Sequence, residues 1–150
     1  MAVESGGASP LKPFFPLKSA DFLIGSTLGT GSFSRVRLAT HTADNSVWAL
    51  KVLKKADVYR LKQVDHVLNE RAILERLRSP FAVGLFGSFQ DERYLYMVMN
   101  VVIGGEYYSH LRNAVRFDSA VAKFYAAQVI FFLEYMHNQD IVYRDIKPGA

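Results

Sequence analysis

The sequence contains no cysteine and few long apolar runs. Without cysteine among its 150 residues, the chain can form neither disulfides nor thiolate metal sites, and an intracellular setting is favoured. The longest apolar run, around 129–133, is stopped by Glu134 and is too short to cross a bilayer. We therefore expect no membrane partner and a cytoplasmic protein, with the nucleus as a further location.

Proline is also scarce, and its distribution is uneven. The chain has five prolines, and Pro10, Pro13 and Pro16 all fall near its beginning, close to Gly6-Gly7. The same stretch has few residues that alternate or repeat at helical spacing. This composition predicts an extended or disordered leader over 1–20.

Charge of one sign is not concentrated in any long block. The formal net charge is +4, but the basic residues are spread along the chain with acids among them, so we expect no nucleic-acid partner. The densest basic cluster comprises Lys54, Lys55, Arg60 and Lys62. We interpret it as a solvated approach to the helix that follows.

Runs of β-forming residues dominate the first two thirds of the chain. Strands are predicted over 22–28, 34–40, 47–53, 85–90 and 94–99, with an amphipathic helix over 63–77. These elements predict an α+β fold. Its first lobe, 21–99, would be a five-stranded antiparallel sheet with one main helix.

After residue 99 the pattern changes from period two to helical. The segment 100–105 ends in Gly104-Gly105 and predicts a hinge, and a short helix follows over 106–113. Asp118 is placed to cap a long helix that reaches His137 and has almost no polar side. Only 13 residues follow this helix. We therefore expect 106–150 to be the incomplete beginning of a second lobe.

Two charged residues lie where the pattern calls for apolar ones. Lys51 interrupts a strand that is apolar on both faces, and Glu70 falls on the apolar stripe of the helix 63–77. Each has a simple alternative: Lys51 could extend to water from an edge strand, and Glu70 could pair with Arg71 or Arg78. One ion pair between helix and sheet explains both charges, so we predict a Lys51–Glu70 pair.

A glycine motif, Gly29-Thr30-Gly31-Ser32-Phe33-Ser34, lies between two predicted strands. A dinucleotide-binding motif requires a helix after the glycines and a third glycine, whereas here a strand follows and Ser34 takes the third position. Glycines also serve ordinary hairpin turns. A glycine-rich hairpin can instead lay its backbone amides over a phosphate chain, with Lys51 near enough to contact it.

Near its end the chain reads Tyr143-Arg144-Asp145-Ile146-Lys147-Pro148. Together with the glycine hairpin, Lys51 and Glu70 in this order, this motif resembles the eukaryotic protein kinases over about 21–148. Details resemble the cyclic-AMP-dependent protein kinase catalytic subunits and their basophilic serine/threonine relatives. Those details are Leu28-Gly-Thr-Gly-Ser-Phe33, Asn69-Glu70-Arg71, Tyr96-Met-Val-Met99, Gly104-Gly-Glu106, Ser109-His-Leu-Arg112 and Phe124-Tyr-Ala-Ala-Gln128, with Tyr143 before Arg144.

The resemblance implies a protein-kinase-like fold and a protein serine/threonine kinase that uses ATP and Mg²⁺. It implies that ATP is covered by the hairpin residues Gly29, Thr30, Gly31, Ser32 and Phe33. Lys51, positioned by Glu70, would hold the α- and β-phosphates. Adenine would be enclosed by Leu28, Val36 and Ala49, with Met99 as the gatekeeper, and would be hydrogen-bonded by backbone groups of Asn100 and Val102. It further implies that Glu106 contacts ribose and a substrate arginine, that Asp145 accepts the substrate hydroxyl proton, and that Lys147 reaches the γ-phosphate. The implied partners are peptide substrates with basic residues near Ser or Thr, and a cAMP-binding regulatory subunit.

Departures from the family pattern matter as much as matches. Ser34 replaces a glycine, Asn100 replaces an acidic hinge residue, and Ala150 stands where the pattern Arg-Asp-x-Lys-Pro-x-Asn has its magnesium-binding Asn. The Asp-Phe-Gly motif does not occur in these 150 residues. The family's Mg²⁺ ligands are thus missing from this chain, and we assign no metal ligand. The alternative function is a non-catalytic, pseudokinase-like fragment that binds nucleotide or a regulatory subunit.

Overall fold

The computed structural model describes residues 16–144 and 146. These residues form two compact units. The first consists of the described residues up to Arg78 together with Val83–Val101, and the second of Ser79–Ala82 and the described residues from Val102 onward. The chain passes between the units at Val101 and Val102, within the predicted hinge segment.

The first unit contains a five-stranded antiparallel sheet, as predicted. The strands are β1 Phe22–Thr30, β2 Ser34–His41, β3 Val47–Lys54, β4 Leu85–Gln90 and β5 Tyr94–Asn100. They run in the order β1-β2-β3-β5-β4, so that β3, which carries Lys51, lies in the middle. This central position explains why both faces of β3 are apolar.

Each face of the sheet carries its own apolar cluster. The inner cluster lies beneath the helices and consists of Leu53, Val58, Val67, Leu85 and Met97. The outer cluster consists of Phe22, Ala39, Leu50, Tyr96 and Val98. Leu50 and Leu53 lie three residues apart on β3 and therefore point to opposite faces, and both are fully buried because side chains cover the sheet on each face at this point. Burial of each such side chain contributes about 1.5–3 kcal/mol.

Two helices follow β3, of which only the second was predicted. Helix α1 is Lys55–Arg60, and it includes two residues of the basic cluster that was interpreted as a solvated approach. Val58, which is only 4% exposed, anchors this helix to the inner cluster. Helix α2 is Val64–Arg76, one residue shorter at each end than the predicted 63–77.

The residues that directly precede β1 contact the rest of the first unit. Within the described part, Leu17 packs against the outer cluster, and Ser19–Asp21 forms a short 3-10 helix. The backbone N–H of Lys18 donates to the Asp21 carboxylate at 2.9 Å, which holds this turn. Leu17 is half-buried, and its packing holds the last residues of the predicted leader against the sheet. The earlier part of the leader lies outside the described residues.

The turn between β4 and β5 is organised by Asp91. Its carboxylate accepts hydrogen bonds from the backbone N–H groups of Arg93 and Tyr94 and from the Tyr96 hydroxyl, at 2.7–2.8 Å. Burial, together with this hydrogen bond, raises the pKa of Tyr96 to about 12. The same hydrogen bond has the opposite effect on the acceptor and lowers the pKa of Asp91.

The second unit contains two helices, α3 Tyr107–Ala114 and α4 Ser119–His137. The predicted cap of α4 is confirmed, since the Asp118 carboxylate accepts a hydrogen bond from the Val121 N–H at 2.9 Å. Tyr107 on α3 packs edge-on against Tyr125 on α4, with ring centroids 4.8 Å apart.

Several apolar side chains of α4, which has almost no polar side, are exposed. Phe131 is 57% exposed, while Phe132 is half-buried beside Tyr143. Within the described residues, no helix has both the length and the apolar character needed to cross a membrane.

Candidate active site

The Lys51–Glu70 ion pair joins the sheet to helix α2. The Lys51 ammonium donates to Glu70 Oε1, and the two atoms lie 2.5 Å apart. The Lys51 side chain is 18% exposed and that of Glu70 is 39% exposed. The sequence-based prediction of this pair is therefore confirmed, and neither charge is left without a partner inside the protein.

Strand pairing places other predicted residues on the same face of the sheet as Lys51. Side chains directly opposite each other in antiparallel strands share a face. Val36 on β2 and Met97 on β5 lie opposite Lys51, and Met99 lies opposite Ala49. Val36, Ala49 and Met99 thus form an apolar surface next to the ammonium. Sequence reasoning missed Met97, although the alternation along β5 could have shown it.

The glycine motif forms the turn between β1 and β2. The Gly31 N–H donates to the Ser34 carbonyl at 2.8 Å, which closes the turn. A Cβ atom at Gly31 would lie only 2.7 Å from the Ser34 hydroxyl oxygen, whereas a Cβ atom at Gly29 would meet nothing within 4 Å. A side chain at 31 would therefore require the Ser34 hydroxyl, at the departure from the family pattern, to turn away, while Gly29 borders open space.

The remaining residues of this motif are less tightly placed. Thr30 and Ser32 are exposed, and Phe33 is half-buried against the inner cluster. Leu28 is 45% exposed and lies where the register of β1 shifts between Thr27 and Gly29. Because of this shift, strand pairing does not place Leu28 on the face that holds Lys51, as it does for Val36 and Ala49.

Asn100 ends β5, and its backbone N–H is already hydrogen-bonded within the protein. Its N–H donates to the Gly84 carbonyl at 3.1 Å, so this N–H does not serve a ligand. Its side-chain oxygen lies 2.7 Å from where a Cβ atom of Gly84 would be, so a side chain at 84 would require the Asn100 amide to move. Val102, which is 71% exposed, and Glu106, which precedes α3, belong to the second unit.

Asp145 and Lys147 lie outside the described residues, and their assigned roles stay predictions. The preceding Arg144 is exposed and has a positive φ of 66°.

The residues present do not fit a magnesium site of the family type. Within residues 16–144 and 146, no three His, Asp or Glu side chains are grouped so that they could hold a metal ion. The position of the family's metal-binding Asn is Ala150, whose methyl group cannot act as a ligand.

Comparison with known proteins agrees with this geometry. Residues 22–149 match the protein kinase domain family. A cAMP-dependent protein kinase catalytic subunit from Arthrobotrys oligospora is 51% identical over 128 residues, which are 85% of this chain and 25% of that protein. The human cAMP-dependent protein kinase catalytic subunit PRKX is 46% identical over 140 residues, which are 93% of this chain and 38% of that protein.

A third relative is cAMP-dependent protein kinase type 3 of Saccharomyces cerevisiae. It is 49% identical over 129 residues, which are 86% of this chain and 32% of that protein. The chain thus spans between a quarter and two fifths of the length of these three relatives. The match to the kinase domain covers nearly the whole chain, and so the chain belongs to the protein kinase family.

Proposed function

We propose that the protein is an ATP-dependent serine/threonine kinase of the cyclic-AMP-dependent type. The observation that carries this proposal is the Lys51–Glu70 pair, held on the same sheet face as Val36, Ala49 and Met99. A fixed ammonium beside an apolar surface suits a ligand that has polyphosphate at one end and a flat ring at the other. ATP is such a ligand, and the protein kinase family uses it.

The described residues would bind and orient ATP. Glu70 fixes the Lys51 ammonium, which would hold the α- and β-phosphates, while the turn at Gly29 leaves room for phosphate oxygens. The small side chain of Ala49 would let the adenine ring approach the sheet. The Asn100 carbonyl would accept a hydrogen bond from the adenine amino group.

In the reaction, the γ-phosphoryl group passes from ATP to a serine or threonine hydroxyl and ADP leaves. Asp145 would accept the hydroxyl proton, and Lys147 would contact the γ-phosphate. These two roles rest on the family resemblance. Positioning and charge neutralisation supply most of the rate enhancement in phosphoryl transfer.

We further propose substrates with basic residues near the acceptor, recognised through Glu106. A cAMP-binding regulatory subunit is the proposed protein partner, because several relatives are named cAMP-dependent catalytic subunits. Cytoplasmic localisation stays a prediction.

A second candidate function is nucleotide or regulatory-subunit binding without catalysis. Ala150 at the position of the metal-binding Asn favours it. Nucleotide binding would use the Lys51–Glu70 pair in either case, so phosphoryl transfer is the activity that separates the two functions.

The test compares the 150-residue polypeptide with the longest product of the same gene. Each is incubated with Mg-ATP and an arginine-rich serine peptide, and an alanine peptide serves as the control. We expect a longer product that carries Asp-Phe-Gly to phosphorylate serine, and its Asp145→Asn variant to lose this activity. The 150-residue polypeptide should be slower by at least ~10²–10³, the typical cost of losing one electrostatic contributor. Absence of transfer by the longer product would contradict the kinase proposal.

A further inference from the structure

A second concave site lies where the outer face of the sheet meets the glycine turn, and Gly31, Ser32, Phe33 and Ser34 form one side of it. Its cavity has a volume of about 580 Å³. Three basic residues, Arg35, Arg37 and Lys54, line it, together with the hydroxyl-bearing residues Ser19 and Ser32. This combination of a cavity, several cations and hydroxyl groups is typical of sites that bind anions.

Strand alternation separates the basic residues of this site from the nucleotide face. Val36 and Lys51 share the inner face, so Arg35 and Arg37, which flank Val36, point to the outer face. Arg35 lies opposite Val52 on β3, and Lys54 lies two residues further along the same strand. Such diagonal neighbours lie about 7–8 Å apart, so both cations can reach one small ligand.

Arg37 is held in place by the backbone of β1. Its Nε and Nη2 atoms donate to the Gly25 carbonyl at 3.1 and 2.6 Å. The irregular register of β1 between Ile24 and Thr27 accompanies this contact. The fixed guanidinium keeps its charge and further N–H donors for a ligand, at a reduced entropic cost.

The positive charge of the site is largely uncompensated. Arg35 and Lys54 are both exposed, and neither forms an ion pair within residues 16–144 and 146. Asp57 is the one acid among the lining residues, and its carboxylate lies 3.1 Å from Arg60 Nη2. Three cations therefore face the cavity against one acid that already has another partner.

We propose that this outer site binds a phosphate monoester, as found on a phosphorylated serine or threonine side chain. A phosphate dianion has three acceptor oxygens and can engage all three cations, whereas a carboxylate would leave much of the positive charge unneutralised. All three cations line the same cavity. The site therefore suits a single phosphate and not a nucleic-acid backbone.

The test uses the 150-residue chain at low ionic strength and a fluorescent pentapeptide with one phosphoserine between glycines. We expect saturable binding to the phosphopeptide and much weaker binding to its serine and glutamate counterparts. The double variant Arg35→Gln/Lys54→Gln should lose at least tenfold in affinity, because two charge-assisted contacts are removed. The single variant Lys54→Gln should lose part of it.

Two controls separate this site from general charge effects and from the nucleotide face. Lys62→Gln/Arg93→Gln removes the same charge from exposed positions that do not line the cavity, and should keep the affinity. Lys51→Met should keep it too, whether or not the kinase proposal holds.

A separate titration with inorganic phosphate identifies the source of the ligand. Tighter binding of the phosphopeptide assigns the site to a phosphorylated side chain, and equal binding assigns it to the free ion; both support phosphate recognition. Unchanged affinity in Arg35→Gln/Lys54→Gln, an equal loss in the Lys62/Arg93 control, or no binding by either probe would overturn the proposal.

Discussion

Replacing Lys51 by Met should weaken the binding of ATP, through its phosphates, much more than it lowers the stability of the fold. Methionine retains most of the apolar stem of lysine and removes only the ammonium. The stability lost with the ion pair should be about 1 kcal/mol, because exposed and partly exposed pairs contribute at that level. Glu70, whose side chain is 39% exposed, can then be hydrated without a partner.

The expected loss in nucleotide affinity is larger. A hydrogen bond to a charged group contributes about 1.5–3 kcal/mol, and every 1.4 kcal/mol changes the dissociation constant tenfold. Lys51→Met should therefore weaken ATP binding by roughly 10- to 100-fold. Adenosine, which has no phosphate, should bind the variant and the parent chain equally well.

The assay is displacement of a fluorescent ATP analogue by ATP and by adenosine, in buffer without added Mg²⁺. Urea unfolding of both proteins supplies the change in stability. Lys123→Met on the exposed surface of α4 is the matched control and should change neither quantity. Equal losses for ATP and adenosine, or an unchanged ATP affinity, would refute the role assigned to the Lys51–Glu70 pair.

Three further predictions concern the cap, the hairpin and the glycine turn. Asp118→Ala should lower the free energy of unfolding by about 1 kcal/mol, and Asp118→Asn by less, because only alanine cannot cap α4; equal urea midpoints would contradict this. Since its folded pKa is raised to about 12, Tyr96 should ionise above the ordinary tyrosine value of ~10 in an absorbance titration, and its stabilising contribution, full below pH ~10, should be lost as the pH rises from there through about 12; an absorbance titration whose alkaline end is unchanged by Tyr96→Phe would argue against it. Gly31→Ala should destabilise the chain more than Gly29→Ala, and Ser34→Gly should remove the difference; additive effects of Gly31→Ala and Ser34→Gly would disprove the steric link.

The ion pair was predictable because each partner was anomalous in its own pattern. Lys51 interrupts an apolar strand, Glu70 lies on an apolar helix stripe, and the two charges are opposite in sign. Neither anomaly alone would have been sufficient, since a single charge can reach water. The cap at Asp118 was predictable for a different reason, because Asp before an apolar helix has one usual function.

Other features depended on contacts that leave little mark in the sequence. Helix α1 has six residues, too few to show a helical period, and Val58 is its one buried residue. The order at Leu17 comes from packing against a distant cluster. The Arg37–Gly25 contact accompanies a register shift in β1. The sequence around Gly25 gives no sign of this shift, because Gly25 lies inside a strand with ordinary neighbours.

The most direct test of the account is covalent labelling with an ATP acyl phosphate. In this reagent the acyl group is attached to the terminal phosphate, and a nearby lysine amine attacks the acyl carbon and releases ATP. If Lys51 holds the nucleotide phosphates, mass spectrometry should find the acyl group chiefly on Lys51, and an excess of ATP should prevent the labelling. An unlabelled Lys51, or labelling of exposed lysines to the same extent and without protection by ATP, would contradict the account.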